Sequence, residues 1–254
     1  MPTLNNGKLF VTADAKGVGQ PVEAFNLEEQ KDRFKLNAST DLSDSVKSTL
    51  LDLPQWLPLA AETYKISANI KNYIIVPVVS MPSELPNKNQ IGFPLEALTA
   101  FSRELAMPAY KGWTGRPVLF EHLLTNDKEE KGIILSTMLL PIKGSKGNIF
   151  KLLKLLAIDR DKDSALANKI LKRERDSYSM GATASDYNCS ICGHSIQHAM
   201  KTNAYCEHLT DVPNFKVFSG KLAYWRVADC TPVEISSVAQ PAYVSCTNSE
   251  YFTF

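Results

Sequence analysis

Thiol and imidazole side chains in the second half of the chain have the spacing of a metal site. A Cys-x-x-Cys knuckle precedes a Cys-x-His pair, so two tight turns would each supply two ligands: Cys189 with Cys192, and Cys206 with His208. Three thiolates and one imidazole favour zinc over magnesium or calcium. Because protein ligands would fill all four positions, the expected Zn2+ is structural rather than catalytic. His194 and His198 lie between the pairs and are alternatives for the fourth position.

A serine nucleophile is the second kind of chemistry that the residues allow. A hydroxyl becomes a good nucleophile when a base takes its proton. Of the four histidines, three lie in the cysteine-rich segment, which leaves His122 as the free general base. Ser179 is followed by Met180-Gly181, and the glycine would let the backbone present an N–H group to an oxyanion. Ser177 is a rival nucleophile, and a structural histidine beside an ordinary serine is the alternative reading.

Composition narrows the class of protein. The 254 residues include 28 Lys and Arg against 27 Asp and Glu. The resulting net charge of +1 is too small to favour nucleic acid as a partner. No apolar run is long enough for a membrane span, and the N-terminus lacks the pattern of a signal peptide. Five cysteines, an odd number, fit a reducing compartment and a metal better than a disulfide framework. We expect a protein of the cytoplasm without a membrane partner.

The elements that would position these residues are mostly short strands. The β-branched run 73–79 predicts a buried strand with Pro77 at an edge or a bulge. Apolar residues at helical spacing predict a helix from Leu95 to Leu105, ending before Pro108. The segment 118–138 predicts a hairpin with His122 near the end of its first strand.

Further strands and one helix follow in the second half. Residues 150–158, 215–227 and 233–238 read as strands, and residues 163–173 as a helix that leads to Ser177. The sequence thus predicts an α+β fold with a largely antiparallel β core and helices packed outside it. We divide it into an N-terminal arm or pro-segment, 1–65, and one domain, 66–254, with a zinc-knuckle insertion at about 186–212. An integral N-terminal part of the fold is the alternative for the arm.

Several short segments, taken in order, connect the chain to a known family. They are Met81-Pro82-Ser83-Glu84-Leu85-Pro86-Asn87-Lys88-Asn89, Gly115-Arg116-Pro117-Val118-Leu119-Phe120-Glu121-His122, Leu156-Ala157-Ile158-Asp159-Arg160, Ser177-Tyr178-Ser179-Met180-Gly181, the cysteine knuckle with Tyr205-Cys206-Glu207-His208-Leu209, and Val233-Glu234-Ile235-Ser236-Ser237-Val238 ahead of Pro241-Ala242. From about Tyr73 to Cys246 the chain resembles the prohead (head-maturation) proteases of tailed bacteriophages, especially the large myovirus type. Their fold is related to herpesvirus assemblin.

The resemblance implies a site and an activity. It implies a barrel-like, assemblin-like core and a catalytic triad of His122, Ser179 and Glu234. Asp159 is an alternative acid. The implied activity is that of a serine endopeptidase that cleaves phage scaffold or inner-core proteins, the major capsid protein and itself, after Glu. It would act in the host cytoplasm inside the assembling prohead. Since the related fold works as a dimer, the resemblance also suggests a homodimer.

Self-processing would need a small-x-Glu sequence in an accessible place. Ala60-Ala61-Glu62 lies at the boundary between arm and core, and we expect cleavage there. Ser102-Arg103-Glu104 lies inside the predicted helix and should be protected. Two rivals remain: a noncatalytic zinc-knuckle protein that binds capsid or scaffold, and a His-Asn-His nuclease. The nuclease would need further histidines and a basic surface, and the chain supplies neither.

Overall fold

A curled β-sheet with few helices dominates the structure, a computed structural model that describes residues 3–5, 8–11, 67–123, 130–142, 145, 149–209, 215–243, 246–247 and 252–253. The helices of this part are α1 (Leu95–Thr99), α2 (Ser164–Leu171) and α3 (Ile196–Thr202), with 3-10 turns at Ile70–Asn72, Ala109–Trp113 and Glu207–Leu209. The strands are β1 (Thr3–Asn5), β2 (Lys8–Val11), β3 (Tyr73–Pro82), β4 (Ile91–Gly92), β5 (Phe101–Ser102), β6 (Met107–Pro108), β7 (Pro117–Phe120), β8 (Gly132–Pro141), β9 (Phe150–Asp159), β10 (Tyr178–Ala184), β11 (Tyr187–Cys189), β12 (Lys216–Phe218), β13 (Lys221–Ala223), β14 (Trp225–Val227), β15 (Thr231–Ser237) and β16 (Phe252–Thr253).

Nine of these strands form the main sheet, in the order β1-β2-β10-β15-β7-β8-β9-β3-β16. The pairs within it are antiparallel except β15 with β7, which is parallel. The sheet curls into a half-barrel, and Thr247 forms bridges with both Val79 and Ser177 where its two ends approach. The predicted α+β class with a mainly antiparallel β core is therefore confirmed.

The long central strands form the buried interior of the sheet. β9 has the sequence FKLLKLLAID and is buried over nearly its whole length, because β8 and β3 pair with its two edges. Apolar side chains of one face, among them Ile74, Leu156 and Ile235, join the main core with Trp113. The strands predicted at 73–79, 150–158 and 233–238 are confirmed, as is the helix within 163–173, where Asp163 caps α2 by accepting the N–H of Leu166.

The predicted helix from Leu95 to Leu105 is wrong beyond its first turn. α1 ends at Thr99 because Ala100 takes an extended backbone with ψ of 136°, and Phe101 then pairs with Pro108 in a β-hairpin. Phe101 is 66% exposed, so its helical spacing from Leu98 does not mark a core face. Glu104 consequently lies in an exposed hairpin turn, and the expectation that a helix protects it is wrong.

The first residues of the chain take part in the sheet. β1 and β2 form a hairpin, and β2 pairs with β10 from Val11 opposite Ala182 to Leu9 opposite Ala184. The division into an arm, 1–65, and a domain stays a prediction, since most of that arm lies outside the described residues, as does Glu62. Within the described residues, no helix has the length and apolar character needed to cross a membrane.

Candidate active site and metal centre

His122 follows β7 through a tight and strained turn. Glu121 and His122 both have left-handed backbones, with φ of 49° and 58°. Each such residue costs on the order of 1–3 kcal/mol, so the pair persists only where its surroundings hold it. Two hydrogen bonds of Glu121 hold the turn in place. The Glu121 N–H donates to Ser237 O at 3.0 Å, and its carboxylate accepts from Arg175 at 2.8 Å. The turn brings the imidazole over β15.

The imidazole is paired with a buried carboxylate. His122 Nδ1 lies 2.9 Å from Glu234 Oε1, and Glu234 is 0% exposed. The Ser236 hydroxyl donates to the other oxygen of this carboxylate and accepts the backbone N–H of His122 at 3.2 Å. One hydroxyl therefore holds both the acid and the base. A carboxylate at Nδ1 keeps the proton of a neutral imidazole on that nitrogen and leaves Nε2 as the proton acceptor.

Ser179 lies on the next strand and on the same face of the sheet. In the β10–β15 pair, Ser179 is opposite Ser236 and Gly181 is opposite Glu234. Directly opposed residues project to the same side, so the serine shares a face with the acid that contacts His122. Ser179 is 4% exposed. Within the described residues the buried Nε2 of His122 has no hydrogen-bond partner, so the Ser179 hydroxyl is not bonded to it in this state. Catalytic hydrogen bonds often close only when substrate binds.

The alternative site residues lie elsewhere. Asp159 accepts the N–H of Asp161 at 2.9 Å in the turn after β9, so the acid that contacts His122 is Glu234. Ser177 precedes β10 and donates to Asp176 at 3.0 Å. The geometry thus brings His122 and Glu234 together and sets Ser179 on the adjacent strand.

Gly181 makes room for the carboxylate. A Cβ at this position would lie 2.3 Å from Glu234 Oε1, far inside an ordinary contact. The Gly181 carbonyl also accepts from Trp113 Nε1 at 3.3 Å. The structure gives this glycine a steric role that the sequence did not reveal, and its predicted role as an oxyanion donor stays a prediction.

A fully buried lysine on β9, Lys154, packs against β10, the strand that carries Ser179. Lys154 Nζ lies 3.9 Å from the centre of a Trp113 ring and 3.7 Å from Met180 Sδ. Burial lowers the pKa of Lys154 to about 7, although the charges of Cys246, Glu234 and Cys230 act in the opposite direction. Burial thus makes the charged form of this side chain less favourable than it would be in water.

Three residues of this region were missed in the sequence: Trp113, Lys154 and Ser236. Ser236 could have been found, because it stands two positions from Glu234 in a strand and must share its face. Trp113 and Lys154 carry no such signal, since their contacts depend on how the half-barrel curls.

The four predicted metal ligands form a compact cluster. The ligand atoms of Cys189, Cys192, Cys206 and His208 all lie within 4.8 Å of one another. Gly193, with φ of 74°, closes the knuckle by donating to Cys189 O at 2.8 Å. His208 Nδ1 is buried without a hydrogen-bond partner in the described residues, while its ring packs on Phe218. A histidine that clusters with three thiols and has a buried ring nitrogen without a partner fits a bound metal ion.

The other two histidines of this segment are not part of the cluster. His194 Nε2 lies 2.8 Å from Ala204 O, and its ring packs edge-on against His198. Of the alternatives for the fourth position, the structure places His208 with the thiols.

Neither a protein-family model, nor a curated protein, nor a solved structure matches this chain.

Proposed function

We propose that the chain is a serine endopeptidase. The observation that supports this best is the buried His122–Glu234 pair, 2.9 Å apart, in which Nε2 has no hydrogen-bond partner among the described residues. Ser179 lies on the neighbouring strand and shares the sheet face of Glu234. A structural histidine has no need of a strained two-residue turn, a buried acid and an unpartnered second nitrogen. A base oriented by an acid beside a hydroxyl is the arrangement that acyl transfer requires.

The reaction follows from these roles. Ser179 Oγ attacks the carbonyl carbon of a peptide bond while His122 Nε2 takes its proton, and Glu234 stabilises the imidazolium that forms. The C–N bond then breaks as His122 returns the proton to the leaving amine. Water, activated by the same imidazole, hydrolyses the acyl-enzyme and restores Ser179.

The cysteine cluster serves this enzyme as a structural zinc site. Cys189, Cys192, Cys206 and His208 would hold the ion through three thiolates and one imidazole, a donor set that favours zinc. Bound Zn2+ would supply cross-linking of the two turns rather than activation of water. Cys189 ends β11, which follows β10 directly, so the ion would clamp the chain that leaves the nucleophile strand.

The biological setting rests on the resemblance to prohead proteases. We propose an assemblin-like enzyme that cleaves scaffold or inner-core and major capsid proteins, and its own chain, after Glu. It would act in the host cytoplasm within the assembling prohead and form a homodimer. Neither a nucleic-acid substrate nor a membrane is part of this proposal.

The test is cleavage of a candidate scaffold or capsid protein by purified enzyme. Wild type, Ser179→Ala and His122→Ala are compared, and the cut sites are read by mass spectrometry. We expect cuts with the wild type and a loss of at least about 10³-fold with either variant. Cleavage that survives both substitutions would end the triad proposal. A folded, zinc-loaded wild type that binds these proteins without cutting them would favour the noncatalytic binding protein.

A further inference from the structure

The Glu121 carboxylate is a junction between three segments of the chain. Its Oε1 accepts from Arg175 Nη1 at 2.8 Å and from the backbone N–H of Ala239 at 3.1 Å. Glu121 itself follows β7 and immediately precedes His122. One side chain thus joins the turn after β7 to the segment before β10 and to the segment after β15.

Each of these segments carries one member of the proposed triad. The turn after β7 contains His122. The segment with Arg175 enters β10 and stands four residues before Ser179. The third segment leaves β15, the strand that carries Glu234. A single carboxylate outside the triad therefore lies between the segments that carry the base, the nucleophile and the acid.

The turn needs a contact of this kind because its backbone is strained. Glu121 and His122 both have left-handed backbones, which a residue with a Cβ adopts only at a cost. The donor to the carboxylate is itself held, since Arg175 Cζ lies 5.0 Å from the centre of the Phe120 ring. The Arg175 side chain is 20% exposed, so solvent screens this ion pair less than a fully exposed one. A hydrogen bond between two ionised groups is of the stronger kind and offsets part of the strain.

We propose that Glu121 is a positioning residue, whose carboxylate holds the His122 turn against the strands that carry Ser179 and Glu234. This deepens the proposed endopeptidase function and rests on it. Without the carboxylate, the imidazole should spend a smaller fraction of time in the place where it contacts Glu234. Only molecules with the imidazole in that place would react, so kcat should fall with this fraction. Substrate binding does not use Glu121, so KM should stay as it is.

The backbone bonds of the turn do not need the Glu121 side chain. The Glu121 N–H donates to Ser237 O at 3.0 Å, and the His122 N–H donates to Ser236 Oγ at 3.2 Å. The Leu123 N–H donates to Phe120 O at 3.1 Å. Because these bonds remain when the carboxylate is removed, the variants should fold, and the loss should appear in catalysis.

The test measures kcat and KM for a peptide that the wild type cleaves, together with the rate at which a fluorophosphonate labels Ser179. Glu121→Ala should lower kcat and the labelling rate about 10- to 100-fold and leave KM within about threefold of the wild-type value. Glu121→Gln keeps an oxygen for both donors and should lower kcat only about threefold. The matched control is Glu96→Ala, which removes another surface carboxylate paired with an arginine, Arg226, and should leave both constants unchanged.

Arg175 supplies a second test that leaves the residues of the turn unchanged, and it serves where Glu121→Ala does not fold. Arg175→Ala should lower kcat about three- to tenfold, and Arg175→Lys, which keeps a cationic donor, should restore it to within about twofold of the wild type. Full kcat in the folded variants, or a change confined to KM, would overturn the role of Glu121 and leave the endopeptidase proposal standing. A wild type that neither cleaves a peptide nor becomes labelled would overturn both.

Discussion

Substitution of Gly181 by alanine should disable the proposed site by displacing its acid. The new Cβ would lie 2.3 Å from Glu234 Oε1, about 1 Å short of an ordinary contact. Moving the carboxylate by that distance would stretch its 2.9 Å contact with His122 Nδ1 beyond hydrogen-bond range. A misplacement of about 1 Å can cost about 10²-fold in rate, so we expect kcat/KM to fall about 100-fold, or about 2.7 kcal/mol.

The assay is the second-order rate of peptide cleavage or of covalent labelling by a fluorophosphonate, with thermal unfolding as a check on folding. The control is the same substitution in a Glu234→Ala background, where no carboxylate remains to be displaced. There Gly181→Ala should change the residual rate by less than about threefold, because the two effects share one contact. An equal 100-fold loss in both backgrounds, or full activity of the single variant, would refute the steric argument.

Three other substitutions test neighbouring parts of the structure. Ser236→Ala removes the hydroxyl that bonds to the Glu234 carboxylate and to the His122 N–H, so kcat should fall about tenfold while KM stays unchanged. Ser236→Thr keeps the hydroxyl and should restore kcat. A change in KM alone would contradict this positioning role. Burial lowers the pKa of Lys154 to about 7, below its unfolded value, so the cost of burying the charge is complete below pH 7 and falls as the pH rises. Lys154→Met should therefore be more stable than wild type at pH 6, and urea unfolding should show this advantage shrinking by about 2 kcal/mol between pH 7 and 8.5. A difference that stays constant with pH would contradict the buried charge. Cys206→Ser should abolish stoichiometric zinc by elemental analysis and lower the melting temperature; zinc retained at one ion per chain would exclude this cluster as the site.

Local sequence patterns predicted the strands and the metal ligands because both depend on short-range order. The β-branched run from Tyr73 became β3, and the two close-spaced ligand pairs formed one cluster. The helical spacing of apolar residues gave a wrong prediction at Phe101, which lies in an exposed β-hairpin rather than on the buried face of a helix. A helix of a single turn leaves too few residues for periodicity to separate it from a turn.

Long-range pairing is what the sequence could not supply. Glu234 was assigned through the family resemblance, since no local pattern brings β15 beside β7 or places its carboxylate at His122. The same parallel pairing creates the contact between Ser236 and the His122 backbone. The role of Gly181 depends further on the register of β10 against β15, in which one residue of slip would move every side chain to the other face.

The most direct measurement is the site of covalent labelling by a fluorophosphonate probe, which reacts with a serine that an adjacent base activates. Peptide mapping of the labelled wild type should place the phosphonyl group on Ser179, and His122→Ala should lower the labelling rate at least about 10³-fold while the protein stays folded. Labelling of a different serine, or labelling of Ser179 at an unchanged rate in His122→Ala, would contradict the proposal that Ser179 and His122 form a catalytic pair.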